Sequence, residues 1–428
     1  MKMNITFLFY LLCFLIINSI TTKKLSLKKL ELSKTNIKNL KKTSFGEKET
    51  VVIYINSGTT SCGFAGEKTP KAIFPTVVGR PRNQGFSLNP FSSPTFYFGK
   101  EVIDNIQYIT LEYPLEKEVI TNFSYVEQII DYSFKKILQI NPEEHKVIIA
   151  VNPLNPKSHN EKLTATLFEK FKVPAMYLLS NAELALFSTG RVNGIVLMME
   201  EELTQAVPIY EGSVHSYAII NMKFGLKDLV KNLIKLLEEN GYYVDDIYDE
   251  NKVKEIIKKH AYISLDYEKE IATNFSSSLE VKIDTPLFKG DVVSVAQERF
   301  QVGEFLFQPS MMRIESTGIH ESIYDSVMKC PSDIRELLYS NIVIAGEGSF
   351  FPNIKERLAK EVASLAPKGS EINVIAEENR TLAVFAGGSI LCNVDYFQEI
   401  WIRKQDYERS GSAIVNSLLN NRLYEIEG

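Results

Sequence analysis

The sequence predicts an α/β protein built as more than one domain, on three observations. Strand-like apolar runs alternate with helical periodicity along the body of the chain. The length of 428 residues exceeds what a single core usually serves. A hydrophobic content of 45% against 24% charged residues supplies enough apolar material for large cores. The net charge of -5 argues against nucleic-acid binding, which calls for a basic excess.

The body begins at Val51. VVIYI (51–55) is a β-branched strand run, NSG is a turn, and TTSCGFAG continues the hairpin. KAIFPTVVGRPR (71–82) follows, and residues 86–98, rich in Ser, Pro and Phe, read as a loop. VEQIIDYSFKKIL (126–138) has helical period, and PEEHKVIIAV (142–151) passes from loop to strand. NEKLTATLFEKF (160–171) and AELALFSTG (182–190) read as helices, and GIVLMM and AVPIY as strands of a second hairpin. LKDLVKNLIKLLEENG (226–241) is an amphipathic helix stopped by glycine. KVKEIIKKHAYISLDYEKEI (252–271) reads as another. The strands SNIVIAG (340–346) and INVIA (372–376) flank the helix KERLAKEVASLAP (355–367). There is no short-period internal repeat.

The first fifty residues have a different character. Residues 5–20, ITFLFYLLCFLIINSI, are uncharged and mostly apolar. As a helix they would reach about 24 Å, short of a roughly 30 Å bilayer core, which favours a signal-peptide core over a spanning helix. The flanks point the other way. Lys23, Lys24, Lys28 and Lys29 follow the run and only Lys2 precedes it, which suits an anchor that keeps the body in the cytosol. Residues 23–44 alternate Lys with Leu and Ile, as either a basic amphipathic helix on an anionic membrane surface or a solvated lysine-rich linker. Membrane association through residues 5–44, secretory entry and an extension of the gene model without a role all remain open. Asn122, Asn274 and Asn379 lie in N-x-S/T sequons, which an Asn-rich chain also produces by chance.

The four cysteines, Cys13, Cys62, Cys330 and Cys392, are far apart, and the five histidines lack paired spacing. This is neither a disulfide framework nor a zinc site. Three of the cysteines lie in the body and suit buried reduced thiols in a cytosolic-type compartment.

One stretch resists a simple reading. Between Gly194 and Gly212, GIVLMMEEELTQAVPIYEG places three glutamates at the tip of a hairpin whose arms read as buried. The surrounding blocks supply a context for it. GFAG (63–66), FPTVVGRPRNQG (74–85), PLNPK (153–157), PAMY (174–177), VPIYEG (207–212), LFQPS (306–310), GIH (318–320), LAP (365–367), GGSIL (387–391) and WIRKQDYERSG (401–411) are similar to blocks of the actin family, in the family's order. The resemblance runs from Val51 to about Val415 and leaves out residues 1–50 and the tail.

Resemblance to actin implies two α/β lobes around a nucleotide cleft. Residues 51–188 with 383–428 would form one lobe, residues 189–382 the other, and 1–50 an extension. In that family a hairpin from each lobe clamps the phosphates through backbone N–H groups of glycine-rich turns. Two aspartates hold the metal through water.

The positions that carry this chemistry in the family are changed here. The first hairpin reads Tyr54-Ile55-Asn56-Ser57-Gly58 where actins read D-N-G-S-G, and Ser61 takes the family lysine position. The second reads Met198, Met199, Glu200, Glu201, Glu202, Leu203, Thr204, Gln205 where actins read D-S-G-D-G-V-T-H. Both aspartate positions are lost, to Met198 and Glu201. Asn181 replaces the glutamine that positions water, one methylene shorter, and Gln205 replaces the nearby histidine. Gly346-Glu347 replaces paired glycines, Lys254, Ile257 and Lys258 occupy the nucleotide-contacting helix, Thr381 takes a lysine position, and Lys117-Glu118 replaces His-Gly. Ser57, Gly58, Lys254 and Gly346 are the remnants of a nucleotide site.

A carboxylate about 5 Å from a phosphate repels it by roughly 3 kcal/mol at an effective dielectric near 20. The triplet therefore opposes a triphosphate, and its side chains block the backbone approach that glycine permits. Two other readings of the triplet are a divalent-cation site and a turn released to solvent; the second is the expectation carried forward. The expected function is a divergent actin-like cytoskeletal or scaffold subunit, a pseudo-ATPase without nucleotide or metal, in the cytoplasm or at a membrane. The alternatives are an ATP-binding filament former and a membrane-tethered adaptor. Its partners would be proteins, other actin-related or cytoskeletal subunits among them, at an apolar groove of Phe187, Gly190, Val192, Ile390, Leu391, Val394, Tyr396 and Ile400. The same residue types also suit core positions.

Overall fold

Two sheets of the same design carry the chain. The computed structural model describes residues 49–82, 96–242, 247–274, 281–288 and 291–416. The N-terminal apolar run, the lysine-rich segment and most of the 86–98 loop lie outside these residues.

The first sheet contains strands β1 (Val51–Ile55), β2 (Thr59–Phe64), β3 (Ala72–Pro75), β4 (Val147–Val151) and β5 (Ala175–Ser180). The second contains β6 (Gly194–Met199), β7 (Thr204–Tyr210), β8 (Ser213–Val214), β9 (Ile220–Met222), β10 (Ile342–Ala345) and β11 (Val374–Ile375). Strand β12 (Ile402–Arg403) returns to the first sheet and pairs with β5. The strand orders are β12-β5-β4-β1-β2-β3 and β8-β7-β6-β10-β11, with β9 also paired to β7. Each sheet thus has an antiparallel hairpin, β1–β2 or β6–β7, whose first strand pairs in parallel with the next strand of the sheet. Strands β1, β4, β6 and β10 are built from β-branched and aliphatic residues buried almost throughout, as strands covered on both faces must be.

A layer of two helices, Asn181–Ser188 and Ala383–Leu391, lies between the sheets. Alternation along β6 divides its side chains between two cores. Val196 and Met198 pack into the first core with the helix layer, while Ile195, Leu197 and Met199 pack into the second. At the crossing of the two helices a Cβ on Gly387 would sit 1.8 Å from the Leu184 carbonyl oxygen, so no larger residue fits there. The helix Asn181–Ser188 begins with a capping box in which Ser180 and Glu183 satisfy each other's backbone N–H groups.

Two expectations shift in detail. The helices foreseen at 126–138 and 160–171 end in π-helical turns, Ser133–Leu138 and Thr166–Lys170. The single helix foreseen over 252–271 is two, Ile247–His260 and Tyr267–Asn274. Between them the Ile263 N–H donates to the Pro352 carbonyl at 3.0 Å, a long-range bond that periodicity does not report. In the second lobe the buried pair Arg357–Glu304 is bidentate at 3.0 Å and also binds the Ser264 carbonyl, tying together three elements. Among the described residues no helix is long and apolar enough to cross a membrane.

Candidate functional site

The turns of the two hairpins meet in the cleft between the sheets. The first, Asn56–Gly58, is an Asx turn: Asn56 Oδ1 accepts from the Gly58 and Thr59 N–H groups at 2.9 and 2.6 Å. The second is closed by the Glu200 N–H donating to the Leu203 carbonyl at 2.9 Å. It is braced from behind by the first turn of the helix Leu226–Glu239. The Leu226 and Lys227 N–H groups, which have no partner within their own helix, donate to the Glu200 and Glu201 carbonyls at 3.0 and 2.8 Å.

The three glutamates point three ways. Glu200 is 2% exposed and crosses to the first hairpin, where its carboxylate accepts from Tyr54 Oη at 2.7 Å and Asn56 Nδ2 at 3.0 Å. Glu201 pairs with Lys254 at 2.5 Å. Glu202 pairs with Lys227 at 2.6 Å and accepts the Lys117 N–H at 2.9 Å. The expectation of a solvent-released turn is therefore corrected: each carboxylate is matched to donors on a different element, and one is buried.

A fourth carboxylate, Glu118, is 6% exposed. It accepts the Ser57 N–H at 3.2 Å, and its own N–H donates to Ser57 Oγ at 2.9 Å. Lys117 and Glu118 form the tip of a two-residue hairpin turn and both have positive φ, 47° and 65°. Side chains are disfavoured in that conformation. The bonds to Ser57 and Glu202 hold the strained tip in place. A fifth, Glu347, lies against the first turn: a Cβ on Gly58 would be 2.7 Å from Glu347 Oε2 and 2.9 Å from Glu201 Cβ. Lys254 Nζ is 4.0 Å from Glu347.

This crowding sets the acidities. Burial pushes Glu118 up to about 8, against hydrogen bonds from Ser57 that favour the charged form. Burial and then the charge of Glu118 push Glu200 well above the usual carboxylate range. Burial also raises Glu347, with Lys254 pulling the other way. Burial raises Tyr54, followed by the charge of Glu200. Glu202 goes down, because the bonds from Lys227 and the Lys117 N–H outweigh its partial burial. Lys254 goes up, because Glu347 and Glu201 outweigh its burial.

The residues singled out from the sequence are placed unequally. Tyr54, Ser57, Gly58, Glu201 and Lys254 come together at the meeting of the turns. Asn181 joins them by donating to Tyr54 Oη at 3.1 Å. Gln205 sits beside them in a chain of amides, accepting from Asn152 and donating to Asn221, both at 2.8 Å. Gly346 opens the turn that carries Glu347. Met198 is fully buried and belongs to the core, and Ile257 is likewise core. In the proposed groove Phe187, Val192 and Leu391 are buried core residues, while Gly190, Ile390, Val394 and Ile400 are half-buried; the Tyr396 side chain lies outside the described residues. Asn152 and Lys227 are not singled out from the sequence, and Asn56 only as a member of the first hairpin. A lysine in the first turn of the helix that follows an acidic hairpin was the available signal for Lys227.

Outside the clasp a cavity of about 430 Å³ remains between the lobes. Its apolar wall includes Val77, Val102 and Leu111, and its opposite wall carries Lys254 and Lys258. Among the described residues no cluster of three or more His, Cys, Asp or Glu is arranged to hold a metal ion. Cys62, Cys330 and Cys392 are buried free thiols.

Two sheets of equal design, a shared helix layer and hairpin turns facing each other across a cleft describe one architecture, and the family model described as Actin matches residues 45–419. The chain belongs to the actin family. In actin-family proteins these turns face a Mg-nucleotide, and the residues present here do not fit one. The Ser57 N–H of the first turn, which would approach phosphate, instead donates to the Glu118 carboxylate, and the space beside Gly58 is filled by Glu347 Oε2 and the Glu201 side-chain stem. The gap between the hairpins is bridged by Glu200. An added triphosphate would have to break these bonds and face the repulsion of several carboxylates at once.

Proposed function

We propose that this actin-family chain is a scaffold or interaction subunit that neither binds nor hydrolyses ATP, and that its own side chains do what a nucleotide does in its relatives. The observation that carries this reading is the bond set of Glu200. A buried carboxylate from the second lobe accepts from Tyr54 and Asn56 of the first, across the gap between the hairpins. Ion pairs of Glu201 and Glu202 with Lys254 and Lys227 brace the same turn from its own lobe, so the two hairpins are joined without an added ligand.

The partners in this reading are proteins, including other cytoskeletal or actin-related subunits, in the cytoplasm or at a membrane surface. They would be met on surfaces outside the cleft, and the rim formed by Ile390, Val394 and Ile400 offers half-buried apolar side chains for that purpose.

Calorimetry and thermal shift of the purified full chain with Mg-ATP and Mg-ADP test the reading. A ligand at 100 times its Kd stabilises a protein by about 2.7 kcal/mol, so micromolar binding would raise the melting temperature visibly at millimolar nucleotide. The expected result is no heat and no shift. Saturable micromolar binding would overturn the proposal.

A further inference from the structure

The stretch Tyr54–Ser57, the end of β1 and the start of the first turn, is held from both sides by acids. Glu200 reaches it from the second lobe and Glu118 from the first, and the donors they receive are neutral: Tyr54 Oη, Asn56 Nδ2 and the Glu347 N–H for Glu200, the Ser57 N–H and hydroxyl for Glu118. Among the described residues neither acid has a cation within ion-pair distance, because Lys254 is engaged by Glu201 and Glu347 and Lys227 by Glu202. The other titratable groups facing the pair are Tyr54 on β1, Glu202 on the second hairpin turn and Glu347 on the turn after β10. All of them are acids. Two buried carboxylates on one short turn, without a cation, cannot both ionise cheaply.

We propose that a proton is the ligand that fastens this cleft: Glu118 and Glu200 hold the turn between the lobes while they retain at least one proton, and ionisation of both releases it. The inference rests on the reading that the cleft carries no nucleotide. It gives the chain a different effector, the proton, which biases a closed state against an open one. The strained tip at Lys117 and Glu118 supports it, since losing the bonds to Ser57 and Glu202 removes what holds both residues at positive φ.

The sign follows from the weakened acidity of the two groups. Burial pushes folded Glu118 up to about 8, against an ordinary carboxylate value of 4.5. The stabilisation is therefore fully present below the unfolded value and is lost as pH rises from there through about 8. Glu200 shifts in the same direction. The closed cleft is the acid-favoured state.

The test places a pair of dyes on the full chain at Ile103→Cys and Lys258→Cys, which line the cavity from opposite lobes, and follows energy transfer from pH 5 to 10. The native cysteines of the body are buried. Transfer is expected to fall only above about pH 8 in the otherwise native protein, where Glu118 has lost its proton and Glu200 follows, and to stay high in Glu118→Gln and Glu200→Gln, which mimic the protonated acids. The same pH response in the native protein and both variants, or no response in the native protein, would overturn the proposal. Should the variants fail to fold, infrared spectroscopy of the native protein decides: a protonated-carboxyl carbonyl band persisting at pH 7 supports it, and its absence overturns it. Mg-ATP titration of the same samples separates the two readings. Micromolar binding removes the nucleotide-free cleft, whereas a pH-independent spacing without ATP binding removes only the proton latch.

Discussion

Among the described residues the two sheets are joined by contacts of two opposite kinds. In the helix layer between them, called the hinge below, the helices Asn181–Ser188 and Ala383–Leu391 cross through buried apolar side chains and a glycine with no room for a methyl group. At the mouth, the hairpin turns meet through carboxylates, amides, a phenol and lysines. The hinge works by shape and needs no second component. The mouth works by charge and hydrogen bonding, so it is where a protein of this architecture can exchange one closing agent for another. Apolar packing is indifferent to pH and salt, whereas the polar mouth responds to both.

Substitutions at each contact can sharpen or break this contrast. The largest effect is expected at the hinge. Gly387→Ala places a methyl group 1.8 Å from the Leu184 carbonyl oxygen, and backbone must move to admit it. A loss of more than about 3 kcal/mol in urea unfolding is expected, and a loss under about 1 kcal/mol would show that the crossing is not tightly packed. Lys254→Met comes next. It leaves Glu201 without its ion-pair partner and Glu347 with only the more distant Lys258, at side-chain exposures of 16% each. About 2 kcal/mol should be lost, less than for a fully buried pair because the site is partly hydrated. The loss should shrink at low pH as Glu347, which burial already pushes up, protonates; a loss independent of pH would deny the pairing its role. Tyr54→Phe is the smallest. It removes one hydrogen bond to Glu200 and the one from Asn181, at about 1–2 kcal/mol. Amide exchange at residues 56–59 and 200–203 should accelerate while the hinge helices stay protected. Equal acceleration in both would mean that hinge and mouth open as one unit.

Much of the fold was legible in the sequence because it depends on local pattern. VVIYI and GIVLMM read as strands and are strands, and LKDLVKNLIKLLEE reads as an amphipathic helix and is one. Where a distant bond decides, the pattern fails, as at Ile263, whose N–H leaves its helix for Pro352. The candidate site was half legible. Loss of the family's carboxylate and glycine positions could be read residue by residue, but the destinations of the new side chains could not. Whether Glu200 faces water or Tyr54 depends on residues 146 apart in sequence. Met198 reads as a cleft position from the family pattern, yet its place in the alternation of β6 turns it into the core. Glu118 was visible only as a departure from a pattern, since its partner Ser57 lies 61 residues away.

Strand β12 has a consequence for how the chain is made. The first sheet receives its last strand from Ile402 and Arg403, which pair with Met176 and Ala175 after all strands of the second sheet have passed. On a ribosome the second sheet has its full set of strands while β5 of the first still presents an unpaired border. That border invites pairing with another chain until the C-terminal segment emerges to cover it. The lobe that is begun first is thus completed last, and a nascent chain halted before Trp401 carries a finished second sheet beside an adhesive, unfinished first one.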